Sequence, residues 1–409
     1  MLRARFTVLL AGLWLIAACG VCALAAQATH EVVVTAAETG YTETPVWVPI
    51  DAAAGMTSAH LTRWNAADGP PPPQQLVRAG DKTWLVFLLR DLKQGEARRY
   101  HLTLSDEAEP TAVGGVQVKQ GAETVDVTID DAPFTRYWFA SGPKPYCWPV
   151  IGPTGQPMTR AFPMAQVAGE SSDHVHHRSL WFAHGSVNGV DLWGEGAESG
   201  KTVHRAFEAL VSGPVVGMLR SRNDWVARDG KKVCEDTREI RVYRVSSGRV
   251  FDFEITATAT EGPVKFGDTK EGTFGIRLAD SMAVIRGKGH IINSAGQTDR
   301  DAWGKRGEWC DYSGPVGDKV VGVTIFDHPE SFRHPTYWHV RDYGLFAVNP
   351  FGIRDYTGLP EGEPGAYTIE KGQSLTFRYR IYMHAGPPDV PALSALYNQY
   401  AHPPQVTVR

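Results

Sequence analysis

"KKVCEDTREIRVYRVSSGRVFDFEITATATEG", residues 231–262, decides the fold. In its second half Phe251, Phe253, Ile255 and Ala257 alternate with Asp252, Glu254 and Thr256. Side chains of a strand point alternately to its two faces, so this period of two marks a strand buried on one side and polar on the other. The Ser246-Ser247-Gly248 triplet between the halves reads as a turn.

The same habit extends in both directions. "VQVKQGAETVDVTID" (116–130), "GPVVGMLRSRNDWVA" (213–227) and "SLTFRYRIYMH" (374–384) are β-branched or alternating runs separated by glycine-rich turns. Upstream, "HEVVVTAAETGYTETPVWVPID" (30–51) and "DKTWLVFLLRDLKQGEARRYHLTL" (81–104) repeat it, and the proline run of "ADGPPPPQQ" (67–75) must be a surface loop because a sheet interior cannot hold it. Only "VPALSALYNQYAH" (390–402), with Pro391 in its first turn, predicts an amphipathic helix. With 42 glycines and 27 prolines as punctuation, the reading is an all-β protein of stacked antiparallel sheets. The change of character at "SDEAEPTAVGG" (105–115) predicts a small N-terminal β-sandwich over residues 29–110 and a larger domain over 111–409.

Residues 1–28 read as a signal peptide: Arg3 and Arg5 precede an apolar run from Phe6 to Ala18 and small-residue cleavage sites follow. The expectation is a secreted or periplasmic protein. Ile16-Ala17-Ala18-Cys19 also matches a lipobox that would anchor Cys19, but the apolar residues after it, where a lipoprotein carries a polar tether, favour ordinary cleavage. Charges interrupt every later hydrophobic run, so no integral membrane segment is expected after signal removal. Loss of Arg3 and Arg5 takes the formal net charge from −4 to −6, with both signs mixed along the chain, which argues against nucleic acid as a partner. Cys147, Cys234 and Cys310 remain, without C-x-x-C spacing, and read as buried thiols.

Histidine is unevenly spread. His174, His176, His177 and His184 crowd into "SSDHVHHRSLWFAHGSVNGVDLWGEG" (171–196), and His328, His334 and His339 into a second window near "HPTYWHVRDYGLFAVNPFG" (334–352). Imidazole suits proton transfer near neutral pH and, uncharged, binds transition metals. If "DHVHHRSLWF" is extended, His174, His176 and Arg178 share one face. An H-x-H pair of that kind is half a metal site, so a divalent metal on His174, His176 and His184 is the cofactor the cluster admits, with His204, His339, Asp191 or Glu271 as further ligands. Catalytic candidates are His174, His177, His339, Glu271 of "GDTKEGTFGIRLAD" (267–280) and Asp311 of "DAWGKRGEWCDYSGP" (301–315). Only one of Lys270 and Glu271 can face a given pocket, and Glu271 is the preferred base. Aromatic faces stack on sugar rings and planar guanidinium forks hold hydroxyls and carboxylates, which nominates Arg178, Trp181, Asn188, Trp193, Arg277, Trp338, Arg341 and Tyr343 as carbohydrate-binding residues.

"PYCWPVIGPTGQPMTRAFP" (145–163), "DHVHHRSLWFAHGSVNGVDLW" (173–193), "DTKEGTFGIRLAD" (268–280) and "HPTYWHVRDYGLFAVNPFG" (334–352) together resemble the DUF6807 family, also labelled methane-oxygenase PmoA-like, from about residue 143 to about residue 386. Most members carry proline at Val175 and glycine at Ser179. The resemblance implies a secreted bacterial β-rich protein of carbohydrate metabolism and, by analogy, a galactose-mutarotase-like supersandwich with His174, His177, His339 and Glu271 on its concave face. The oxygenase activity is not carried over, since the membrane-bound methane enzyme is a bundle of spanning helices and this chain has no such span. The expectation is a carbohydrate-active enzyme of hydrolase or lyase type. The alternatives are a metal-dependent oxygenase and a non-catalytic sugar-binding protein.

Overall fold

The computed structural model describes residues 27–51, 56–65, 69–107 and 114–409; the signal-peptide and lipobox readings over residues 1–26 lie outside them. Among the described residues two eight-stranded antiparallel sheets face each other. The first runs, from edge to edge, through Trp338–Val340, Leu345–Val348, Gly272–Arg277, Leu180–His184, Tyr146–Val150, Ala132–Trp138, Thr124–Ile129 and Val116–Gln120. The second runs through Lys201–Val211, Val216–Val226, Lys232–Tyr243, Arg249–Thr258, Ser374–Ala385, Lys319–Asp327, Trp309–Val316 and His290–Asn293.

The alternation in residues 249–258 does what its period predicts. Phe251, Phe253, Ile255 and Ala257 are buried and point at the first sheet, while Asp252 and Glu254 on the other face pair with Arg380 and Arg378 of the neighbouring strand. Ring contacts close the sandwich: Phe134 on Phe251 at 5.5 Å, Phe253 on Phe274 at 5.0 Å and Phe182 on Phe377 at 5.4 Å. Each such ring removes roughly 150 to 250 Å² from water, so this interlayer holds most of the fold's hydrophobic stabilisation.

The N-terminal segment forms two smaller sheets, one of Gln27–Thr35, Ser58–Arg63 and Ala97–Ser105 and one of Tyr41–Pro49, Gln74–Ala79 and Lys82–Leu92, around their own core of Val32, Leu61, Phe87 and Tyr100. The last strand of the chain, Gln405–Val408, returns to pair antiparallel with residues 32–35, so the C-terminus completes the N-terminal sheet. The helix Val390–Ala401 forms as predicted, with Asp389 accepting from the Ala392 amide at its N-terminus. No described helix is long and apolar enough to cross a membrane. Cys147, Cys234 and Cys310 are free and buried, which pushes the Cys147 thiol up to about 12 and leaves it unreactive.

Candidate functional site

The strand Leu180–His184 sorts the first histidine cluster. Leu180 and Phe182 point into the interlayer core, while Trp181 and Ala183 point to the outer face and pack with Tyr146, Trp193 and Leu345. His184 follows the inward set: it is fully buried between Phe266 and Phe351, with its Nε2 at 2.9 Å from the Gly267 carbonyl. It therefore faces away from the rest of its cluster.

Residues 171–179 are not extended, which corrects the sequence expectation. They turn, with the His177 amide bonded to the His174 carbonyl at 3.0 Å and positive φ at His174 (46°) and Ser179 (60°). The turn brings His174, His176 and His177 together over the outer face, where an extended chain would have sent His177 to the opposite side. Tyr343, His174, His177 and Trp181 lie in one stack, with successive ring centroids 5.2, 4.7 and 5.3 Å apart. Gly275 lies opposite Trp181, and a Cβ there would stand 2.9 Å from the indole, so the stack rests on a position with no side chain.

Above this stack is a cavity of about 360 Å³, lined by His174, His176, His177, Gly185, Asp191, Trp193, Gly194, Glu271 and Tyr343. Its polar groups have distinct environments. Among the described residues no group bonds the Glu271 carboxylate, and burial raises its pKa above the ordinary carboxylate value despite the nearby charges of Lys270 and His174. Asp191 is occupied by the Trp193 and Gly194 amides, both at 2.9 Å, and by the Ser199 hydroxyl. His174 is exposed, and its Nδ1 lies 3.0 Å from Asp173 Oδ2, which leaves Nε2 as its free edge. His176 is held neutral by burial, down to about 4, with Lys144 adding to the effect. His177 is pushed far below its ordinary value, chiefly by burial, and its Nδ1 accepts from Arg277 Nη1 at 3.3 Å.

Asp173 is the linchpin that sequence reasoning missed. Its carboxylate also binds Arg160 and, at 2.9 Å, Arg277, two guanidinium groups with almost no solvent exposure. The signal was the Asp immediately before the first histidine, in "SSDHVHH". Lys144 was missed as well: it is buried, its pKa is lowered to about 8 by burial, and it binds Glu195 at 3.1 Å and the Trp193 carbonyl.

Of the nominated residues, His174, His177, Glu271, Trp193 and Tyr343 line the cavity, with Arg277 and Trp181 directly behind them. Arg178 serves the wall, gripping Glu195 with two bonds of 2.7 Å. The others lie elsewhere. Asp311 is on the outer face of the second sheet, bonded to His384 Nε2 at 2.8 Å and to Thr324, so the whole sandwich separates it from Glu271. Trp338 packs in the interlayer core and donates to the Gly307 carbonyl, which removes it as a sugar platform. Asn188 is at the tip of a turn, bonded to the Pro263 carbonyl and the Lys265 amide. His339 is on the outer face but buried, accepting from Trp303 Nε1 at 3.0 Å, and burial holds its pKa down to about 3. Arg341 stands beside the cavity, against the Tyr343 ring.

The expected metal set of His174, His176 and His184 does not assemble, because strand alternation turns His184 into the core. Among the described residues no group of three histidine, cysteine, aspartate or glutamate side chains is arranged to hold a metal ion.

A family model described as a family of unknown function, DUF6807, matches residues 124–398, which span the four quoted motifs and the entire cavity. No curated protein matches the chain.

Proposed function

We propose, from the premise that the chain belongs to the DUF6807 family, that it is a carbohydrate-processing enzyme whose proton transfers are divided between Glu271 and His174. One observation carries this reading: a desolvated carboxyl without a bonding partner among the described residues and an Asp173-oriented imidazole open into the same cavity, beside the rings of Tyr343 and Trp193. An imidazole whose Nδ1–H is held by a carboxylate presents Nε2 as the proton acceptor. A carboxyl raised by burial holds its proton further toward neutral pH and can donate it to a leaving oxygen. Tyr343, whose ring is stacked on His174, and the largely buried Trp193 supply apolar wall beside the sugar.

The remaining carboxylate of the cavity bears on the reaction type. A two-carboxylate glycosidase needs both carboxyl groups free for the sugar, and Asp191 is spent on two amides and a hydroxyl. A carboxyl and an imidazole suit elimination or isomerisation, in which a carbon-bound proton is taken and an oxygen is protonated. Secretion is part of the proposal and rests on residues 1–28 of the sequence.

The test is incubation of the purified protein with a panel of plant and algal glycans, with products read by mass spectrometry. Unsaturated or isomerised products are expected. Products carrying one added water would move the assignment to hydrolysis. An unaltered panel, with glycans that nevertheless bind, would leave a sugar-binding protein instead.

A further inference from the structure

Next to the cavity, on the other side of Tyr343, lies a second recess of about 380 Å³, lined by Arg300, Trp303, Val340, Arg341 and Asp342. Its charges do not balance. Asp342 is taken by Arg300 at 2.7 Å, which leaves Arg341 as a net positive charge. The Arg341 guanidinium lies 5.5 Å from the centroid of Trp303 and 5.7 Å from that of Tyr343, and among the described residues no carboxylate pairs with it. Two aromatic neighbours attract the cation without taking up its N–H donors, an arrangement that suits a planar, bidentate anion. Trp303 is itself anchored from behind through its N–H to His339, so its indole is a rigid wall.

The two recesses share a boundary, because Tyr343 lines the first and stacks on the arginine of the second. Occupation of both recesses calls for a chain of sugar rings rather than one. We propose that this recess is a subsite for an anionic sugar, so that the substrate is an acidic polysaccharide bearing carboxylate or sulfate groups, with Arg341 reading the anion and Trp303 supporting the ring. This rests on the carbohydrate reading of the neighbouring cavity and narrows its substrate class.

The experiment is calorimetric titration of the full chain with three ladders of matched length: oligogalacturonate, its methyl ester, and a sulfated galactan oligomer. Wild type is expected to bind at least one anionic ladder about tenfold more tightly than the methyl ester. Whichever anionic ladder binds more tightly identifies the group. Arg341→Gln should close the gap by weakening the anionic ladder far more than the methyl ester, and Arg341→Lys, which keeps the charge but loses the fork, should restore part of it. Thermal melting of both variants should match wild type, since the side chain is only half-buried and bonds to no carboxylate. Equal affinity for charged and neutral ladders, or a gap that survives Arg341→Gln, overturns the anionic subsite and leaves the carbohydrate reading standing. No binding of any ladder overturns both.

Discussion

At the scale of single residues, Asp173 and Glu271 have opposite characters. Asp173 is paired with three partners, and its loss would be felt in stability. Asp173→Asn leaves the buried guanidinium groups of Arg160 and Arg277 short of a counter-charge, a change that costs roughly 3 to 5 kcal/mol when a pair is fully buried. Because the Asp173 carboxylate is 45 % exposed, the expected loss is smaller, about 2 kcal/mol, measurable by urea denaturation. Among the described residues nothing bonds the Glu271 carboxylate, so Glu271→Gln should leave the melting temperature unchanged while lowering turnover by about 10²- to 10⁴-fold. The shared cavity of His174, His176, His177 and Glu271 was legible from residue type and crowding. Asp311 was not separable from Glu271 by sequence, because a strand residue's face is fixed by sheet pairing that no local spacing reveals. His384, the partner that absorbs Asp311, lies 73 residues further along the chain.

At the scale of elements, the site is the outer face of the pair of strands Leu180–His184 and Gly272–Arg277 together with the turn before the first of them. Gly275→Ala would push a methyl against Trp181 and, through it, His177 and His174. Overpacking of this kind costs roughly 1 to 3 kcal/mol. Here it should also weaken turnover, since the displaced stack carries the proton acceptor; denaturation and kinetics on the same variant check both effects. Strands were legible wherever one face is buried, as in residues 249–258, because burial writes the period of two into the sequence. The histidine turn was not legible. Alternation of "DHVHH" imitates a strand, and the positive φ of His174 and Ser179 has no glycine to announce it. The predicted metal set failed for the same reason, since a strand begins only at Leu180 and sends His184 inward.

At the scale of the whole molecule, burial holds several imidazoles neutral: His177 is pushed far below its ordinary value, His176 and His184 are held down to about 4 and His339 to about 3. In the unfolded chain each takes up a proton near its ordinary value of 6.5. Between about pH 6.5 and 4 the unfolded state binds protons that the folded state refuses, so stability should fall as the pH falls through that window, by on the order of 3 kcal/mol from His184 alone. The His384–Asp311 pair has the opposite sign: the His384 pKa is raised by Asp311, so its contribution is full below 6.5 and lost as the pH rises through the raised value. Urea midpoints from pH 9 to 4 check this, and His184→Gln should flatten the acid limb. The first and last described strands are coupled too. Truncation after Pro404 removes the strand that covers residues 32–35, and limited proteolysis should then cut the N-terminal sheet first. The all-β class was legible from alternation and turn residues, whereas the return of residues 405–408 to the first strand was not, because a four-residue run carries no record of so distant a partner.

Glu271 and His174 are proposed to act on one carbohydrate from the same cavity. The most direct measurement compares turnover of a glycan that the wild-type protein alters with turnover by Glu271→Gln and His174→Gln, alongside the melting temperature of each. On this proposal Glu271→Gln melts like wild type, His174→Gln melts lower because it leaves the stack between Tyr343 and His177, and both lose activity by at least about a hundredfold. Full activity in either variant would contradict it.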